Sequence, residues 1–123
     1  MENVGYDPTQ IHATVHTAKY NHVKGTQKGS STRVTDPHNT FHTYTLDWTP
    51  TQIKGFVDGY HYFTFNKENS FEAWPFDQYQ EIIVNTAIGG NWGGKQGVDD
   101  SAFPKYYTID YIRVYDNNFC QIK

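Results

Sequence analysis

A chain of 123 residues holds one domain, and ten Lys plus Arg against 13 Asp plus Glu leave it a net charge of −3. That balance offers no basic stripe to nucleic acid and no acidic run of the disordered kind. No apolar stretch approaches the ~18 residues of a membrane span, and the polar N-terminal stretch does not read as a secretory signal. The single cysteine, Cys120, has no partner for an internal disulfide. Aromatic residues make up 17% of the chain, beside ten glycines and one methionine. This composition favours strands joined by tight turns over helices.

In chain order, MENVG (1–5) has by itself the look of an ordinary terminus. IHATVHT (11–17) alternates Ile11, Ala13 and Val15 against His12, Thr14 and His16, predicting a half-buried strand whose polar face turns to water or ligand. Residues 18–39 are mostly Lys, Gly, Ser, Thr, Asn and His and predict a long surface loop with a short strand around 31–34. FHTYTLDW (41–48) alternates again and sets Tyr44, Leu46 and Trp48 on one face, with Trp48 expected in the core. QIKGFVDGYHYFTF (52–65) predicts a hairpin, because Asp58-Gly59 supplies the positive-φ pair of a two-residue turn.

Residues 68–79 read as a loop carrying Trp74-Pro75. EIIVNTAIGG (81–90) is apolar on both faces, as in a central strand covered on two sides. NWGGKQGVDDSAFP (91–104) is a Gly-rich loop with Trp92 in its first turn, and YYTIDYIRVYD (106–116) predicts a last strand. No stretch has a helical period and there is no repeat or linker. The expectation is therefore one domain over 1–123, all-β, an antiparallel β-sandwich.

MENVG followed by IHATVHT, FHTYTLDWTPTQIKGFVDG, VNTAIGGNWGG and YYTIDYIRVYD resemble, in this order, the C-terminal half of a glycoside hydrolase family 16 catalytic domain of the laminarinase-like endo-β-1,3-glucanase branch. The resemblance spans nearly the whole chain. It implies a jelly-roll, concanavalin A-like sandwich whose concave face is a glucan cleft. It further implies retaining hydrolysis of β-1,3-glucans by two carboxylates, in a family that is typically secreted. The family's catalytic strand reads E-x-D-x-x-E, and Met1-Glu2 match its last two positions, so Glu2 resembles the acid/base. The nucleophile and assisting aspartate, five and three positions earlier, have no counterpart in 1–123. Carboxylates five apart on a regular strand point to opposite faces, and a β-bulge returns them to one face.

The same resemblance gives His16 a place near the catalytic carboxylates, Trp92 a sugar-stacking role at the cleft edge, and Asp110 the position of a structural calcium ligand. Trp74, in its loop, reads either as core or as a second cleft aromatic, and is carried as the latter. His12 reads as merely exposed, and a metal shared by His12 and His16 is disfavoured by their separation of roughly 13 Å along a strand. One carboxylate cannot form a glycosyl-enzyme intermediate, so the chain is expected to be inactive alone. The alternatives are a non-catalytic β-glucan-binding module and a truncated chain without a function of its own. Because 81–90 needs cover on both faces, association is also expected, as a homo-oligomer or with a complementing N-terminal half.

Overall fold

The structure is a computed structural model and describes residues 1–116; Cys120 lies outside them. Among the described residues, six strands make two antiparallel sheets. The first contains β1 (Glu2–Val4), β2 (Asp7–Val15) and β3 (Lys28–Arg33), and the second β4 (Tyr44–Trp48), β5 (Gln52–Val57) and β6 (Tyr60–Asn66), each in chain order. The only helical turns among the described residues are 3-10 segments at His22–Lys24 and Asp100–Ala102, and no helix is long and apolar enough to cross a membrane. The expected all-β, antiparallel sandwich is what forms.

Period-two alternation builds the core. Ile11, Ala13 and Val15 of β2 are buried, while His12 and Thr14 between them stay partly open. Across the gap, Ala13 and Val15 pack with Ile53 of β5, Phe63 and Phe65 of β6, and Trp74 from the following loop. The β5–β6 hairpin turns at Asp58 (φ 50°) and Gly59 (φ 78°), the positive-φ pair expected from the sequence. Asp58 also fastens β4 to this turn: its carboxylate accepts the Thr43 N–H at 2.8 Å and lies 2.6 Å from His42 Nδ1. The His42 bond first, and the Thr43 N–H second, hold the Asp58 carboxyl below its ordinary range.

Three expectations are corrected. Residues 81–88 and 106–116 run without strand pairing, and Ile82, Ile83, Ile88, Tyr111, Ile112 and Val114 are exposed. Their sequences suit strands, but a strand exists only as one side of a ladder, and among the described residues no ladder includes them. Trp48 is the third case, 42% exposed rather than in the core. Its phase was read correctly: Tyr44, Leu46 and Trp48 pair with Val57, Gly55 and Ile53, so they share the inner face of the second sheet. What fails is the cover: the sheets meet through β3 and β6, and these β4 residues stay exposed.

The result is an open sandwich. Its accessible surface is 9801 Å², whereas a compact monomer of 14.2 kDa has about 6,800 Å².

Candidate functional site

β1 and β2 pair so that Glu2 lies directly opposite His12, with a register shift between Asn3 and Val4. Opposed residues of an antiparallel pair project to the same face, here the face that carries His12 and Thr14 away from the core. The irregularity at Asn3/Val4 lets Val4 bury itself while Glu2 stays open. Asn3 holds the hairpin by donating its side-chain amide to the Pro8 and Gln10 carbonyls, at 2.7 and 3.1 Å.

Trp92 reaches this face from the loop 89–97. Its ring stands edge-to-face with His12, centroids 5.0 Å apart at 81°, and 41% of the residue remains exposed. The loop folds on itself: Gly94 N–H donates to the Gly90 carbonyl at 3.0 Å and Gly97 N–H to the Gly94 carbonyl at 2.8 Å. Gly89 and Gly90 take positive φ, and a Cβ on Gly94 would stand 2.7 Å from the Gly89 backbone. A second fastening is Lys95, whose Nζ sits 3.7 Å from the centre of the Tyr6 ring in the β1–β2 turn. Between this turn (Gly5, Tyr6) and the loop (Gly93, Gln96, Gly97) lies an open groove of about 380 Å³.

Glu2, His12 and Trp92 thus come together, and His12 is the residue that sequence reasoning passed over. The missed signal is the ladder register, since the alternation already put His12 on the polar face. His16 follows β2 immediately and is exposed; its ring meets His22, centroids 5.5 Å apart, rather than Trp92. Trp74 is corrected outright: it is 2% exposed, stacks on Phe65 with centroids 5.6 Å apart, and donates its indole N–H to Asp77 at 3.0 Å. A ring enclosed in this way has no face for a sugar. Asp110 lies in the exposed segment 106–116, and among the described residues no group of three or more His, Cys, Asp or Glu side chains converges as a metal site. A larger groove of about 560 Å³ between β3 and β6 contains none of the expected site residues.

Comparison with known proteins gives concordant results. Residues 1–113 match the family described as Glycosyl hydrolases family 16. A β-glucanase of Rhodothermus marinus is 48% identical over 121 residues, which is 94% of this chain and 42% of that protein. The crystal structure of SCLam, a non-specific endo-β-1,3(4)-glucanase, superposes with a TM-score of 0.79 at 53% identity, over 83% of this chain and 39% of that one. A serine-for-glutamate mutant of SCLam, holding 1,3-β-D-cellobiosyl-glucose at its active site, superposes with a TM-score of 0.77 at 52% identity, over 82% of this chain and 40% of that one. This chain therefore spans about two fifths of the length of these relatives.

Proposed function

The chain belongs to glycosyl hydrolases family 16, and on that premise we propose that it carries the acid/base half of a retaining endo-β-1,3-glucanase site acting on laminarin-like glucans. The observation that carries this reading is the placement of Glu2 on β1 directly opposite His12, with Trp92 against that imidazole. A retaining mechanism needs an acid that protonates the leaving-group oxygen, and then, as its conjugate base, takes a proton from water. Glu2, open to solvent on the face that Trp92 borders, has the chemistry for both steps. Trp92 offers an exposed apolar ring to the C–H face of a glucosyl unit, and His16 supplies a hydrogen-bonding group further along the same strand direction.

The mechanism also needs a nucleophilic carboxylate about 5–5.5 Å from the acid/base. The resemblance puts that nucleophile five positions before Glu2 on the same strand, so in this proposal it comes from outside residues 1–123, on a complementing N-terminal half. A calcium ion at Asp110 belongs to the same complemented state, where further oxygen donors would join it. Until then the uncovered faces are shared with a second copy of the chain.

Two measurements test the proposal. Incubated alone with laminarin, the chain is expected to release no reducing sugar above background. Release that disappears in the Glu2→Gln variant would overturn the half-site reading. In titration with laminari-oligosaccharides, binding is expected with a Kd in the millimolar range, ~−4 kcal/mol, and Trp92→Ala should weaken it beyond detection. An unchanged titration curve removes Trp92 from the site. The second reading, a β-glucan-binding module without chemistry, is favoured by the exposed Trp92 ring held against His12. It requires that binding persist while no complementing half restores hydrolysis.

A further inference from the structure

We propose that His12 is a positioning residue that holds the Trp92 ring in its sugar-accepting pose, a role that rests on the glucan-binding reading of this face. The loop that carries Trp92 is rich in glycine, with positive φ at Gly89, Gly90 and Gly97. Glycine loses more conformational freedom on ordering than any other residue, so a loop of this kind needs fastening from outside. Two ring contacts provide it. Lys95 lies over Tyr6 and sets where the loop's far side meets the β1–β2 turn. The edge-to-face contact with His12 acts on Trp92 itself.

The two anchors differ in what they fix. Lys95 is a flexible side chain on a ring face and tolerates sliding, whereas perpendicular packing at 5.0 Å constrains the tilt of the indole. His12 is itself held by the ladder, between Glu2 on β1 and Ser31 on β3. The rigid sheet thereby orients an aromatic ring that its own loop cannot. A ring already oriented does not have to be immobilised when a sugar arrives, and the unfavourable ordering of a side chain on binding is avoided.

The experiment uses the 123-residue chain with two substitutions, His12→Ala and His12→Phe, because phenylalanine keeps a ring that can pack edge-to-face but cannot hydrogen-bond to a sugar. Two quantities are read. One is the indole N–H resonance of Trp92, identified by its loss in Trp92→Phe; the other is the dissociation constant for laminari-oligosaccharides. His12→Ala is expected to shift and broaden the Trp92 resonance, leaving those of Trp48 and Trp74 in place, and to weaken binding about three- to tenfold. His12→Phe should restore both. A Trp92 resonance unmoved by His12→Ala, or binding that phenylalanine fails to rescue, overturns the positioning role; the latter result assigns His12 a direct hydrogen bond to the sugar. If the parent chain binds no oligosaccharide, the glucan reading fails and the resonance alone decides, a shift in His12→Ala with recovery in His12→Phe supporting the positioning role.

Discussion

Replacing Trp74 with alanine is expected to lower the unfolding free energy by about 3–5 kcal/mol. The indole is 2% exposed and joins the cluster of Ala13, Val15, Ile53, Phe63 and Phe65. It stacks on Phe65 and meets Phe76 edge-to-face with centroids 5.3 Å apart. Few core residues are buried in this fold, so one large ring is a large share of the total, which for small domains is about 5–15 kcal/mol. Truncation also removes the indole N–H from Asp77, leaving that carboxylate its bond from Lys67 at 2.7 Å. Trp74→Phe keeps a ring in place and should lose less. Denaturant unfolding followed by far-UV circular dichroism checks the order. A loss below about 1 kcal/mol for Trp74→Ala would be out of range for a buried aromatic. Reduced glucan binding at unchanged stability would return Trp74 to the cleft.

In sedimentation equilibrium at micromolar concentration, the chain is expected to run as a dimer or larger species. The accessible surface of 9801 Å² exceeds that of a compact 14.2 kDa monomer by roughly 3,000 Å². Obligate interfaces bury about 2,000–5,000 Å² in total, or about 1,000–2,500 Å² per chain, so one permanent contact would cover much of this excess. It is also apolar in the right places. Tyr44, Leu46 and Trp48 are exposed on the inner face of the second sheet, while 81–88 and 106–115 present exposed Ile, Val and Tyr side chains outside any strand. Unpaired edges and apolar patches together drive pairing with another chain. A single 14.2 kDa species with cooperative unfolding would show that the strands close on themselves instead.

The elements most legible in the sequence are those fixed by neighbouring residues. The β5–β6 hairpin follows from Asp58-Gly59, and the burial of Ile11, Ala13 and Val15 from alternation alone. Less legible were the features settled by distant chain. Residues 81–88 have the composition of a strand and no ladder, because pairing belongs to two segments and not to one. Trp48 shows the intermediate case, with the face correctly read and the covering layer not. Trp74 was misjudged because a loop residue's side chain goes wherever the tertiary structure has room, and nothing in EAWPF states that destination. At the candidate site, the resemblance is what singles out Glu2 and Trp92 as residues to consider. His12 was missed because its neighbour is set by ladder register across the β1–β2 turn.

The loop at 89–97 has a consequence for how this sequence can drift. Gly89 and Gly90 occupy positive φ, and any side chain on Gly94 would collide with the Gly89 backbone at 2.7 Å. Mutation at these positions is filtered by stereochemistry before chemistry is consulted. Lys95 and Gln96, which follow Gly94, take no positive φ and meet no such backbone limit. A glycine retained at 89, 90 or 94 in diverged copies would therefore report only that the loop still closes. Whether the ring at 92 still meets a sugar is recorded instead at 92 and at 12, two positions where other side chains are sterically admissible and selection for binding is the remaining constraint.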